Sequence, residues 1–149
     1  FNMKITDMQA ACGLGQLNNL ENFIKKRKTN VIFLKKLLIN LQDEILLPEA
    51  EINSEPSWFG FPITLKKESK FKRTDIIRNL TENKIGTRLL FAGNLTKQPA
   101  YISKNFKVQG NLDTTNLIMS NTFWVGIQPS IGEEELSYTA KILKYFFKK

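Results

Sequence analysis

The sequence predicts an α/β or α+β layer, with helices packed on a small sheet. Three observations carry that expectation. Apolar residues recur at helical spacing early in the chain and alternate at period two in later segments. The segments follow in the order helix, long helix, strand, helix, strand, loop, strand, helix. No GxGxxG, P-loop or internal repeat is present to suggest a dinucleotide-binding sheet or a solenoid. At 149 residues the chain suits one compact domain with its own core.

Each element has a local reason. Thr6 with Gln9 three residues on has capping-box spacing, and Ala10, Leu14 and Leu17 then recur at helical intervals. Ala11, Gly13 and Gly15 between them permit close approach to another backbone. From Leu20 a longer amphipathic helix carries Ile24, Val31, Leu34, Leu38 and Leu41 as its apolar stripe. "LPEAEINSEPS" breaks that pattern with two prolines and reads as a loop. "WFGFPITL" alternates, placing Phe59, Phe61, Ile63 and Leu65 on one side and Trp58 on the other. Pro62 cannot donate to a ladder, so an edge strand or a bulge is expected. Thr74 is suited to cap a short helix through Ile76, Ile77 and Leu80. "TRLLF" is a second strand, and after a long loop "NTFWVGI" is a third. Ser130 and Glu133 make a second capping box, opening a terminal helix through Leu136, Leu143 and Phe147.

Composition narrows the chemistry. The chain contains no histidine, so it holds no Ser-His-Asp triad, no Cys-His pair and no histidine metal site. Its single cysteine, Cys12, precludes an internal disulfide, suits a reducing cytoplasm and reads as a small buried hydrophobe. No apolar run approaches the roughly 20 residues that span a bilayer. Net charge is +8, concentrated at Lys25–Lys28, Lys66–Arg73 and the C-terminal lysines. None of these clusters carries the aromatic interleaving of a single-strand platform, so neither nucleic acid nor membrane is the expected partner.

The residues themselves carry a resemblance. "FNMKITDMQAACGLGQLNNLENFIKKR" resembles the Gly-Tyr-Asn…Asp-x-Gln-Ala-Ala…Gln-Leu…Arg segment of the DegT/DnrJ/EryC1/StrS sugar aminotransferases. Those are pyridoxal-phosphate enzymes of fold type I. "PSWFGFPITL", "KIGTRLLFAGNLTKQPAY" and "MSNTFWVGIQP" are similar to one branch, the CDP-4-keto-6-deoxyglucose 3-dehydratases. The resemblance implies the C-terminal small domain of that fold, a small, largely antiparallel sheet packed with helices. It divides the chain into a helical segment (1–47) and a small α/β domain (48–149). Opening on Phe-Asn without Met, the chain looks cut from a longer one, with the cofactor domain before Phe1.

The branch implies a mechanism and partners. Pyridoxamine phosphate condenses with the sugar's C4 ketone, a base removes a proton and the C3 hydroxyl leaves. A histidine replaces the lysine that tethers the cofactor in the aminotransferases. An iron–sulfur cluster and a flavoprotein reductase supply electrons in the CDP-sugar enzymes. Catalytic base, phosphate cup and cluster cysteines are all expected upstream, so this piece should carry no catalytic residue and hold no cofactor alone. A homodimer acting on a nucleotide sugar in lipopolysaccharide biosynthesis is implied. A nucleotide-sugar aminotransferase, a GDP-sugar dehydratase without the cluster and a non-catalytic basic binding module remain as alternatives.

Six residues are the candidates for the site. Asn2 matches the asparagine that reaches the cofactor phosphate of the neighbouring subunit, with Phe1 at the tyrosine position beside it. Phe59 stands where the branch places an aromatic near the cofactor, although core packing suits it equally. In the loop after the second strand, Gly93 allows close backbone approach and Asn94 offers donor and acceptor to a sugar hydroxyl. Arg88 has the planar fork for a diphosphate or a carboxylate. Ala92-Gly93-Asn94 stands where aminotransferases carry histidine, and Leu117 stands where close relatives carry arginine.

Overall fold

A computed structural model describes residues 3–148. Helix α1 (Asp7–Leu17) is followed by α2 (Leu20–Leu38), which tightens into a 3-10 turn at Ile39–Leu41. The elements β1 (Ile45–Leu46), β2 (Phe61–Leu65), α3 (Arg73–Glu82) and β3 (Thr87–Leu89) come next. A 3-10 turn at Leu95–Lys97, then α4 (Asp113–Asn121), β4 (Thr122–Val125) and α5 (Glu133–Phe147) complete the chain. The four strands lie in the order β1-β2-β4-β3, and every pairing is antiparallel. The small antiparallel sheet with packed helices is therefore as expected.

One face of the sheet is the core. Phe61, Ile63 and Leu65 of β2 and Phe123 and Val125 of β4 are buried to 2% exposure or less. They meet Leu34 and Leu38 of α2, Ile76 and Leu80 of α3, and Leu136 and Leu143 of α5. Helix α5 packs against both α2 and α3. A buried amide ties the far end of this layer together. Asn30 of α2, 5% exposed, donates through Nδ2 to the carbonyls of Ile127, Gln128 and Ile131 at 3.1–3.2 Å. The chain leaving β4 is thereby pinned to α2 before α5 begins.

Several local expectations change. The helical segment expected over 1–47 ends in a strand, because Ile45 and Leu46 pair with Leu65 and Thr64. That strand moves β2 from the edge of the sheet to its interior. Pro62 survives there by parity. In an antiparallel ladder each residue points its N–H and C=O to one side, alternately. The Lys66 N–H donates to Glu44 O, so residues 64 and 62 face the β1 side. β1 ends at the residue paired with Thr64, so no donor is needed at Pro62.

The caps move as well. Lys72, not Thr74, precedes α3, and no side chain caps it. Glu135, not Glu133, closes the first turn of α5 by accepting the Gly132 N–H at 2.9 Å. The Thr6–Gln9 box at α1 forms as the spacing predicts. The loop expected before β4 contains α4, whose Thr- and Asn-rich sequence has weak helix propensity and which buries no residue fully. Cys12 is exposed rather than buried, and no residue of α1 is fully buried.

Candidate functional site

The other face of the sheet carries the candidate site. Since Phe123 and Val125 point into the core, Trp124 points away from it, and so does Pro62 between Phe61 and Ile63. Register places Pro62, Trp124 and Arg88 side by side across β2, β4 and β3. The Pro62–Trp124 pair is of the non-hydrogen-bonded kind, in which side chains approach most closely. Below this row, Thr64 and Thr122 share a hydroxyl hydrogen bond of 2.9 Å.

The segment entering β2 brings Phe59 onto the same face. Its ring sits 5.1 Å from that of Trp124, tilted by 59°, an arrangement that aromatic quadrupoles favour. Arg27 of α2 holds this entry by donating from Nη1 to the carbonyls of Trp58 at 2.9 Å and Phe59 at 3.3 Å. Gly60 lets the chain pass under the indole, since a Cβ there would lie 2.3 Å from Trp124 Cε3. The expected sharing of a face by Phe59, Phe61 and Ile63 therefore fails. The chain bends at Phe59 and Gly60, leaving Phe59 68% exposed while Trp58 packs against the core. Core packing of Phe59 is excluded.

The loop after β3 supplies the opposite wall. Phe91 adopts a left-handed backbone with φ 47° and its side chain is 80% exposed. The apolar run Leu89-Leu90-Phe91 thus turns outward instead of filling the core. The polar residues that follow are spent on the loop's own shape. Asn94 is 2% exposed; its Oδ1 accepts from the Thr96 N–H at 3.0 Å and the Thr96 hydroxyl at 2.7 Å, and its Nδ2 donates to Asn116 Oδ1 at 2.8 Å. Gln98 donates to the Ala92 carbonyl at 2.6 Å. Gly93 has φ +64°, and a Cβ would come within 2.5 Å of Met119 Cγ. The close approach that Gly93 permits is to α4, and Asn94 is a buried clamp rather than a free hydrogen-bonding group.

Two adjoining recesses result. One of about 300 Å³ is walled by Trp58, Phe59, Pro62, Phe91 and Trp124. The other, about 630 Å³, shares Phe59, Phe91 and Trp124 and adds Thr87 and Arg88. Arg88 is exposed, is the single charged residue lining either recess, and makes no side-chain hydrogen bond or ion pair among the described residues. A second arginine, Arg73, is consumed structurally at the far end of β2. Its Nη1 donates to the carbonyls of Met119 and Thr122, and burial lowers its pKa.

Of the six candidate residues, the structure brings Phe59 and Arg88 together and puts Gly93 and Asn94 behind them as supports. Phe1 and Asn2 lie outside the described residues. Sequence reasoning missed Trp124, Pro62 and Phe91 as members of the site. The alternation in "NTFWV" already set Trp124 against its neighbours, but only strand pairing reveals what it stands beside. Among the described residues no group of three or more Cys, Asp or Glu is placed to hold a metal ion, and no helix is long and apolar enough to cross a membrane.

Comparison with known proteins gives a consistent family. A sequence model of the DegT/DnrJ/EryC1/StrS aminotransferase family matches residues 1–144. The chain is 50% identical over 147 residues to the lipopolysaccharide biosynthesis protein RfbH of Salmonella typhimurium, covering 99% of this chain and 34% of that protein. It is 37% identical to the dTDP-4-dehydro-2,6-dideoxy-D-glucose 3-dehydratase of Saccharopolyspora spinosa, covering 100% of this chain and 32% of that enzyme. It spans about a third of the length of these relatives. Among solved structures, the Escherichia coli GDP-4-keto-6-deoxy-D-mannose-3-dehydratase with bound hydrated PLP superposes with a TM-score of 0.86 at 26% identity, covering 96% of this chain and 36% of that one. A GDP-4-keto-6-deoxymannose-3-dehydratase with bound GDP-perosamine gives a TM-score of 0.81 at 26% identity, covering 91% and 35%.

Proposed function

This chain belongs to the DegT/DnrJ/EryC1/StrS aminotransferase family, and from that premise we propose that it is the C-terminal part of a pyridoxamine-phosphate-dependent nucleotide-sugar 3-dehydratase. The reaction proposed is removal of the C3 hydroxyl from a CDP-4-keto-6-deoxyhexose, for the 3,6-dideoxyhexoses of a lipopolysaccharide. The observation that carries this reading is the 50% identity to RfbH across 99% of the chain. The described residues fit the cofactor and substrate from one side only. They offer an aromatic wall and one unpaired guanidinium, with no histidine to act as base.

Roles follow from that geometry. Arg88 binds the substrate's diphosphate through its fork. Phe59, with Trp124, walls the cleft shared by cofactor and substrate and excludes water from it. Gly93 and Asn94 fix the loop that presents Phe91. Asn2, with Phe1 beside it, is assigned to the cofactor phosphate by resemblance alone. When bound, the cofactor's ring supplies the electron sink for loss of the hydroxyl. An iron–sulfur cluster does not fit these residues, because it needs several thiolates and the chain has only Cys12. A cluster and a reductase partner would engage other parts of the enzyme, which we place in the cytoplasm.

The working unit proposed is a homodimer. Met8, Leu14 and Leu17 of α1 are 81%, 67% and 57% exposed, and apolar area of that kind seeks cover. Sedimentation at high concentration should give a dimer, and a monodisperse monomer would remove that part of the reading. For the activity, the test is a chimaera in which this chain replaces the matching third of RfbH, supplied with cofactor, reductase and the CDP-4-keto sugar. Mass spectrometry should find the C3-deoxygenated sugar. A folded, cofactor-loaded chimaera that yields an amino sugar, or no product, would overturn the assignment.

A further inference from the structure

We infer that the recess between the end of β2 and the start of α3 is a binding site for a phosphoryl dianion. The recess holds about 360 Å³, room for a phosphate carrying a small body. Lys66, Lys67, Lys72 and Arg73 line it, and no carboxylate does. None of the four is ion-paired among the described residues, whose ion pairs are Lys28–Glu55, Lys35–Glu49 and Arg78–Asp75. The Glu44 carboxylate is tied to this wall through Ser69, whose hydroxyl donates to its Oε2 at 2.5 Å, and does not line the recess. The basic run Lys66–Arg73 is thereby gathered around one hollow.

Arg73 points to an anion most directly. Its Nη1 is taken by the carbonyls of Met119 and Thr122, its Nε is buried without a partner, and no carboxylate neutralises it among the described residues. A cation withdrawn from water without a counter-charge is costly, and the same burial lowers its pKa. The Arg73 and Thr74 N–H groups that open α3 also lack partners, and Lys72 supplies no side-chain cap. The helix therefore adds positive potential to the same place. A carboxylate would bring one negative charge. A phosphomonoester brings about −1.5 to −2 and three acceptor oxygens, which several ammonium and backbone donors can share. Pro62 lines the aromatic recess and Leu65 lines this one, about 10 Å further along β2 and on its other face. The basic recess shares no residue with either aromatic one, so its ligand is separate from the nucleotide sugar proposed above.

The test titrates inorganic phosphate and glucose 1-phosphate into the chain at constant ionic strength and about pH 8, where the group is doubly charged. Sodium chloride is the control, and backbone amides are followed by NMR. Both phosphates should give saturable shifts centred on Lys66–Thr74 and Ser120–Asn121, and chloride should give none. Lys67→Gln combined with Lys72→Gln should weaken half-saturation about tenfold. Both side chains are exposed, so the fold should hold, as circular dichroism can check. Lys25→Gln with Lys26→Gln, exposed in the other basic cluster, should change nothing. Cosedimentation with phosphatidylcholine vesicles, with and without phosphatidic acid, separates two sources of the same chemistry. Binding that needs phosphatidic acid and is displaced by free phosphate makes the group a lipid headgroup; no binding makes it a soluble phosphomonoester. Three results overturn the inference: shifts that chloride reproduces, shifts that never saturate or that centre on Arg88 instead, and an unchanged half-saturation in the double variant of Lys67 and Lys72.

Discussion

Replacing Gly60 by alanine tests whether the aromatic face depends on close passage of backbone under an indole. The added Cβ would lie 2.3 Å from Trp124 Cε3 and 2.9 Å from two further ring atoms. Carbon atoms in contact sit about 3.5–4.0 Å apart, so something must yield by more than about 1 Å. The Trp124 backbone cannot, because β4 is paired with β2 on one side and β3 on the other. Either the indole swings off Phe59, or residues 58–60 lift away and break the Arg27 hydrogen bonds to the Trp58 and Phe59 carbonyls. Overpacking of this kind costs about 1–3 kcal/mol. For a chain of this size each kilocalorie lowers Tm by about 2–4 °C, so a fall of roughly 4–8 °C is expected at the middle of that range. Thermal unfolding followed by circular dichroism gives the loss, and a shifted tryptophan emission maximum in the folded state locates it. An unchanged Tm with an unchanged emission spectrum would refute the packing argument.

Asn30→Ala removes the donor shared by three carbonyls. Leaving the buried acceptors unpaired costs about 1–3 kcal/mol, and better helix propensity returns about 0.6 kcal/mol. Urea unfolding should show a net loss of about 1.5 kcal/mol, with no change for Lys36→Ala on the exposed side of α2. Asn94→Ala deletes a side-chain cap and the Asn116 bond, an effect of about 0.5–2 kcal/mol confined to the loop; amide exchange should quicken across residues 92–98 while the sheet stays protected. Hydrogen bonds from Lys35 and Lys28 lower the carboxyl pKa values of Glu49 and Glu55 below 4.5. These pairs therefore contribute fully above the ordinary carboxylate range and lose their contribution as pH falls through the lowered values. Carboxyl NMR titration should show both midpoints rising in Lys35→Met and Lys28→Met, respectively, and high salt should mimic the substitutions because both carboxylates are solvent-exposed.

Much of the architecture was legible because it depends on short-range patterns. Helical periodicity located α2 and α5, the Thr6–Gln9 spacing located the start of α1, and alternation located β2 and β4. Family motifs in the sequence pointed to a ligand-facing loop after β3. What stayed hidden required knowing which segments meet. Ile45–Leu46 is too short for any periodicity, yet by pairing with Leu65 and Thr64 it turns β2 from an edge strand into an interior one. The bend at Phe59 and Gly60 breaks the alternation that put Phe59 on one side with Phe61 and Ile63. Asn94 and Gly93 carry the chemistry of a binding loop, but the partners that claim them, Asn116 and Met119, come from a helix the sequence did not announce. The sequence by itself therefore determined where α1, α2, α3, α5 and the longer strands form, and which side chains alternate inward within β2. Only the tertiary structure decided that Pro62, Trp124 and Arg88 share one row and that Phe91 faces them. Strand register and loop closure join residues far apart in the chain, and their energies depend on the pairing partner rather than on local spacing.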